Sequence, residues 1–447
     1  MEDGDNVFGI RGFLIDAPEF GTLRGRQRGA IIVENGRISE RGDYDDLRRM
    51  QRTKPVRWID RGPVAIFPGL IDCHTHLPQY SAVARGESEL LPWLREHIFP
   101  VEREFTGPKA RVQAPQFFHE LARHGTTTAM VYAAIYEDSC EIGFEAAKES
   151  GLRVILGKMM MDVRSYGQLQ PKKVLSVSLL ESERLCRKWH RAEDGRLEYA
   201  FSPRFAVTCS EKLMRSAAEM AARFDAYLQT HLAENREEIE KVHHLYMAAQ
   251  DYTHVYEKCG LLTPKTMLGH CIHLNPREIA AIAVTQANVA HCPSSNLFLG
   301  SGLMKLDQIL KAGIMVGLGS DVAAGPELNM WQVMRAAIDV QKARGAYEPN
   351  LRALRPSEAF YLGTHGGAHA LGKAATIGTL DVGKEADLLV VDLTAVAPYP
   401  KDRKLLNELS TEDVLALCIY RGGPHANLET YVRGRCVYQA PNPVQPS

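Results

Sequence analysis

The chain has 447 residues, 45% of them hydrophobic and 24% charged, with a formal net charge of -1. This is an ordinary soluble globular composition, and the near-neutral balance excludes the basic surface that a nucleic-acid partner requires. No apolar run approaches the roughly 18 residues of a membrane-spanning helix, and the acidic start MEDGDNVFGIRG lacks the apolar stretch of a signal peptide, so no membrane partner is expected. The nine cysteines are scattered, odd in number and without a CxxC pair. They read as free thiols in a reducing, cytoplasmic setting rather than as a disulfide framework or a cysteine-based zinc site.

Taken in chain order, residues 1–66 read as short strands and turns. RGAIIVENGRISERGD joins two apolar runs through Asn35-Gly36, a hairpin signal. From residue 67 to 374 the pattern changes to short apolar runs alternating with helix-period segments. The runs are AIFPGLIDCHTH, GTTTAMVYA, LRVILGKMM, LEYAFSPRF, AYLQTHLAEN, TMLGHCIHL, ANVAHCPSS and IMVGLGSD. Between the fourth and fifth, Leu213, Ala217, Met220 and Phe224 recur at spacings of 3 or 4, and Ser210 stands ready to cap that helix. Eight strand-like runs separated by helices predict an α/β chain with a parallel (β/α)8 TIM barrel. A doubly wound open sheet competes, but no GxGxxG or Walker-type loop follows any strand. Residues 375–447 return to strands in GTLDVGKEADLLVVDL and LETYVRGRCVY, and the tail APNPVQPS is proline-rich and reads as loose.

In such a barrel the chemistry sits where strands end. The first run ends in His74 and His76, the fifth in His231 with Glu234 beyond it, the sixth in His270, the seventh in His291 and the eighth in Asp321. One histidine after a strand is usually structural. Six strand-end groups at one predicted face point instead to a site. Residues i and i+2 of an extended segment face the same side, so His74 and His76 can grip one ion, with His231 and Asp321 closing the shell. Three imidazoles and a carboxylate suit zinc or another borderline divalent ion, and water held by such an ion ionises near neutral pH. Glu234 is placed to shuttle a proton, and His270 to hydrogen-bond the nucleophile or a developing oxyanion.

The stretches PGLIDCHTH, THLAEN, LGHCIHL and GLGSD resemble the metal-binding pattern of the amidohydrolase superfamily over essentially the whole chain. The resemblance implies a small β-sandwich domain built from both termini beside the barrel. Members often bridge two metals with a lysine on the fourth strand. Here that strand ends SPRF, with Arg204, while Lys158 lies on the third strand and reads as structural. One Zn2+ per chain is therefore expected. The H-x-E and P-C-x-x-C signature of cytidine-deaminase-type chemistry is absent.

Longer stretches, among them LLPWLREHIFPVEREF, SPRFAVTCSEKLM, HCPSSNLFLGSGLM and GLGSDVAAG, look like the guanine deaminases, nearest their bacterial branch. The resemblance implies hydrolysis of guanine to xanthine and ammonia, and a homodimer. It makes Gln79 and Arg204 the residues that hold the purine and Phe205 a pocket wall. A guanidinium offers only donors and suits O6, whereas a carboxamide offers both donor and acceptor and suits the N3 edge. The competing readings make Gln79 a supporting group and pair Arg204 with a structural acid. His291 divides between lining and support, His273 reads as a surface or capping residue, and Trp93 covers the pocket or packs its helix. After Asp321 the chain reads VAAGPELNMWQ, where many of these enzymes carry a glycine- and serine-rich stretch. Related rings, namely 8-oxoguanine, s-triazines such as ammeline and adenosine derivatives, therefore stay open as substrates. A catalytically dead scaffold is the reading of a different class, and the complete ligand set argues against it.

Overall fold

Eight parallel strands, nearly closed into a barrel, occupy the middle of the chain: Leu70–His76, Thr126–Tyr132, Arg153–Gly157, Leu197–Pro203, Tyr227–Leu232, Thr266–His270, Asn288–His291 and Val316–Leu318. They pair in that order, with helices between them on the outside. The seam between the eighth and first strands is spanned by the backbone N–H of Asp321, which donates to the His74 carbonyl at 2.8 Å. This computed structural model describes residues 7–50, 52, 55–86, 89–165 and 171–441. Residues 1–6, and the last six residues of the proline-rich tail, lie outside the described residues.

The segment AIFPGLIDCHTH, one run in the sequence, is two strands in two sheets. Val64–Pro68 pairs antiparallel with Leu388–Asp392, and Leu70–His76 pairs parallel with Thr126–Tyr132. Gly69 makes the change of sheet possible, because a Cβ there would lie 2.1 Å from Thr127 Oγ1. The terminal regions come together in a second, mainly antiparallel sheet. Its order is Arg435–Gln439, Asn427–Val432, Leu388–Asp392, Val64–Pro68, Phe8–Glu19, Thr22–Glu34 and Arg37–Asp43, and Arg57–Ile59 pairs with Phe8–Glu19. The Asn35-Gly36 hairpin forms as the sequence predicts, with φ of 52° and 74° at its two central residues. Both φ values are positive, as the hairpin-favouring type I′ turn requires.

Side-chain alternation fixes how this sheet packs. Val64, Ile66, Leu388 and Val390 join Ile10, Leu14, Ile31 and Val33 in the sheet's own core. Their neighbours Ala65, Phe67, Leu389 and Val391 face the other way, into the main core shared with the barrel helices. The helix Glu211–Phe224 starts at Ser210, whose hydroxyl accepts from the Leu213 N–H at 3.1 Å. Its buried stripe is Leu213, Met214, Ala217, Ala218 and Ala221, while Met220 and Phe224 pack at the edge. The predicted stripe is thus rotated by part of a turn.

Lys158 points away from the barrel mouth. Its ammonium donates to the Ile135 carbonyl and Ser178 Oγ and pairs with Glu181, against the helix Pro171–Trp189. Among the described residues no helix is long and apolar enough to cross a membrane. All nine cysteines are free thiols, eight of them buried.

Candidate metal centre and adjoining cavity

The first barrel strand carries one extra residue. Asp72 pairs with Ala129 and Thr75 with Val131, so three steps on one strand face two on the other. A bulge of this kind re-aims side chains. Ile71 and Cys73 pack into the apolar barrel interior with Met130, Ile155 and Met267, whereas His74 and His76 turn into the mouth. A glycine on the sixth strand and one just past the end of the eighth leave room for His74. A Cβ on Gly269 would stand 2.7 Å from His74 Cε1, and one on Gly319 would stand 2.7 Å from His74 Cβ.

His74, His76, His231 and Asp321 converge there, all buried. Asp321 Oδ1 lies 3.2 Å from Nε2 of both His74 and His76. The His76 Nε2 is 3.3 Å from Nε2 of His74 and 3.3 Å from Nε2 of His231. Nitrogen and oxygen ligands of tetrahedral zinc sit about 2.0–2.1 Å from the ion, which puts them roughly 3.3 Å from one another. The four-donor set therefore has the spacing a divalent ion needs. Its protonation fits as well. Burial pushes the His76 imidazole down to about 4 and holds that of His231 well below its usual value, with neighbouring imidazoles adding to the effect on His231, so both lone pairs are available. The His231 Nδ1–H donates to the Arg204 carbonyl at 2.7 Å, which leaves Nε2 facing the cluster. For Asp321, burial alone would raise the carboxyl. Electrostatic attraction to His74, with hydrogen bonds from His74 and His76, outweighs it and holds the group well below the usual carboxylate range.

Around the four donors stand groups able to move protons. Glu234 is buried, with Oε2 3.4 Å from His270 Nε2 and Oε1 accepting from Ser301 Oγ at 3.1 Å. Burial, and then the charge of Asp321, raise the Glu234 carboxyl to about 8. A cation at the cluster would offset part of the second cause. The other nitrogen of His270, Nδ1, donates to Asn296 Oδ1 at 2.9 Å, and Ser295 Oγ donates to Asp321 Oδ2 at 2.6 Å. His270 (φ 69°), Asp321 (φ 48°) and Ala233 (φ 52°) have left-handed backbone where their strands end. Non-glycine residues there cost of the order of 1–3 kcal/mol each, strain that the surrounding packing sustains.

A cavity opens beside the cluster. His76, His231, Glu234, His270 and Asp321 form one side, and Gln79, Arg204, Phe205 and Trp93 are among the others that line it. Trp93 lines the cavity and donates its indole N–H to the Arg85 carbonyl, 2.8 Å away. Arg204 has two surroundings at once. It lines the cavity and pairs with buried Glu102, which also accepts from Gln79 Nε2 at 2.8 Å. His291 is buried away from the cavity, and burial pushes it down to about 3, so it is a neutral packing group. His273 is half-buried and binds the Ser301 carbonyl at 2.7 Å, steadying the serine that holds Glu234. Glu102, Ser295, Asn296 and Ser301 have no place among the residues singled out in the sequence. Ser295 and Asn296 lie within HCPSSN, only four or five residues past a strand-end histidine. Glu102 sits in a charged helix with no such cue.

Residues 65–423 match the amidohydrolase family. The chain is 36% identical to a guanine deaminase of Escherichia coli (strain K12), over 95% of each chain, and 35% identical to one of Rattus norvegicus, over 91% of each. A solved guanine deaminase from C. acetobutylicum with guanine bound in its active site superposes with a TM-score of 0.88. It is 28% identical, covering 97% of this chain and all of that one.

Proposed function

This chain belongs to the amidohydrolase family, and from that premise we propose that it hydrolyses guanine to xanthine and ammonia. The observation that carries the reading is the cavity itself. It lies between a four-donor centre with its own proton carrier and a wall holding one guanidinium and one carboxamide. The relatives named above supply the ring.

The residues that would hold the ion are His74, His76, His231 and Asp321, and their donor type and spacing favour a single zinc. When bound, such an ion lowers the pKa of water at its open position. The protein's own groups do the rest. Water adds to C2 of guanine: the C–O bond forms as the C2=N3 double bond opens toward N3 and leaves a tetrahedral carbon. Its collapse restores C2=N3 and breaks the bond to the exocyclic amine, and the remaining hydroxyl proton passes to the ring nitrogen to give the 2-oxo group of xanthine. Glu234 takes a proton from the water at its carboxylate and delivers it to the departing nitrogen, which leaves as ammonia. Asp321, anchored by Ser295, orients the nucleophile and can share its proton. With Nδ1 committed to Asn296, the His270 ring turns Nε2 toward Glu234 and the cavity, where it is placed to hydrogen-bond the attacking oxygen as the tetrahedral centre forms. Arg204 reads O6, Gln79 reads the N3 edge, and Phe205 flanks the ring plane.

Residues 67–374 are assigned to the metal-dependent barrel, and 1–66 and 375–447 to the two parts of the sandwich. A homodimer is proposed on the family resemblance, and a cytoplasmic location on the nine unpaired thiols; sedimentation of the purified protein tests the first and localisation imaging the second. Ammonia release from guanine by purified protein of known metal content tests the function, and its absence overturns it. One observation keeps a second ring in view. Ala324, in the loop whose sequence departs from the guanine deaminase pattern, lines the cavity. Turnover of 8-oxoguanine, ammeline or an adenosine derivative above that of guanine would reassign the substrate and leave the centre unchanged.

A further inference from the structure

We infer that Glu102 is a positioning residue that sets the geometry with which Gln79 and Arg204 read the ring, an inference that rests on the guanine reading above. Glu102 is fully buried near the end of the helix Phe99–Glu104 and is not among the groups lining the cavity. Its two oxygens serve two elements far apart in the chain. Oε1 accepts from Gln79 Nε2 at 2.8 Å, in the turn after the first strand, and Oε2 accepts from Arg204 Nη1 at 2.5 Å, at the end of the fourth.

A carboxylate only accepts, so it compels the amide nitrogen of Gln79 to face it. The Ala323 N–H donates to Gln79 Oε1 at 3.2 Å from the other side. Together they define which way round the amide stands, and the amide keeps a second N–H and a second lone pair for a ligand. The same helix brackets Arg204 twice. Glu102 pairs with its guanidinium, and Phe99, one turn earlier on that helix face, lies with its ring 5.1 Å from Arg204 Cζ. A guanidinium is a rigid planar fork, so pairing one of its nitrogens with Glu102 fixes how the whole fork stands toward the cavity. Leu90, Trp93 and Leu94, from the segment leading into that helix, line the cavity, so this part of the cavity wall and the clamp on the ring's readers are continuous in the chain.

The test is a double-mutant cycle on kcat/KM for guanine with Glu102→Gln, Arg204→Lys and the pair, with metal content and Tm measured throughout. Glu102→Gln sets an amide against the Gln79 amide and removes the counter-charge. With metal and Tm retained it should lose on the order of 10²-fold, the cost of a small misplacement of a positioned group. If Glu102 works through Arg204, the double variant falls no more than about threefold below the worse single one, because the two lesions strike one unit. Losses that multiply, or a parental kcat/KM in Glu102→Gln, overturn the inference. Should Glu102→Gln not fold, Glu102→Asp, which keeps the charge and shortens the reach, takes its place in the same cycle, where non-multiplying losses support the inference and multiplying losses or a parental kcat/KM overturn it. A parent inactive on guanine fails the substrate reading instead, and the cycle is then run on the ring it does hydrolyse.

Discussion

The carboxylate of Asp72 accepts both the backbone N–H of Ser320, at 3.0 Å, and its hydroxyl, at 2.5 Å, tying the first barrel strand to the turn that carries Asp321. The same carboxylate accepts from the His74 N–H at 3.2 Å. One buried acid therefore fixes the backbone beside two members of the four-donor set. Replacing Asp72 with Ala leaves the Ser320 and His74 donors unpaired, and metal affinity should fall by about 10–100-fold, as it does when outer partners of ligands are removed. Competition against a calibrated chelator measures this, and an unchanged Kd would show that the turn holds its shape without Asp72.

The number of ions follows from the fourth strand. It ends Pro203-Arg204, with no lysine to bridge a second ion, and Lys158 is committed to Ile135, Ser178 and Glu181 on the far side of its strand. Elemental analysis of active protein should give one equivalent, most readily zinc, and His74→Ala should lose both metal and activity. Two equivalents in the active enzyme, or activity without any, would sink the single-ion assignment.

Gly269 is a test of packing rather than of chemistry. Its added Cβ would meet His74 Cε1 at 2.7 Å and Nδ1 at 3.0 Å. Gly269→Ala should push that ring off its position, weakening metal binding and costing about 1–3 kcal/mol of stability as overpacking does. Denaturant melts with and without added zinc separate the two effects. A variant with parental stability and metal affinity would mean that the ring has slack the geometry does not suggest.

Glu234→Gln removes the proposed proton carrier while keeping its size and the hydrogen bond from Ser301. Fold and metal should persist and turnover should drop by about 10² or more, the usual worth of positioned acid–base catalysis. Near-normal kcat would take Glu234 out of the mechanism.

The residues at the strand ends were legible in the sequence because a barrel converts strand order into proximity: an HTH pair, a lone histidine on the fifth strand and an aspartate after the eighth can meet only at its mouth. The bulge at Cys73-His74 was not legible, since the extra residue shows only against the register of the neighbouring strand. Nor was the split of AIFPGLIDCHTH, where both halves are equally apolar and only the crowding at Gly69 marks the change of sheet. Glu102 was hidden for a different reason. In PVEREF it is one acid among exposed charges, and its burial depends on Gln79 and Arg204 arriving from elsewhere in the chain.

Selectivity follows from the wall opposite the centre. Guanine carries an acceptor at C6, and in the proposed pose it meets the Arg204 guanidinium, which can only donate. Adenine carries an amine at that position, so N–H would oppose N–H, and a buried cation would lose a partner while the amine gained none. Arg204 is also held by Glu102 and by the Phe99 ring, so it cannot swing aside without breaking an ion pair between two groups of the core. Sites built to hydrogen-bond a substrate group reject analogues that mismatch it by roughly 10⁴-fold, and kcat/KM for guanine over adenine should reach that order. Arg204→Ala should lower guanine turnover and leave the metal in place, because the His231 ring is held by the Arg204 backbone carbonyl rather than by its side chain. The Gln79 amide, fixed at both ends, should keep contact with the N3 edge in that variant, so its loss ought to fall short of the loss in Glu234→Gln. Comparable efficiency on adenine, or an Arg204→Ala enzyme as active as the parent, would contradict the orientation of the ring.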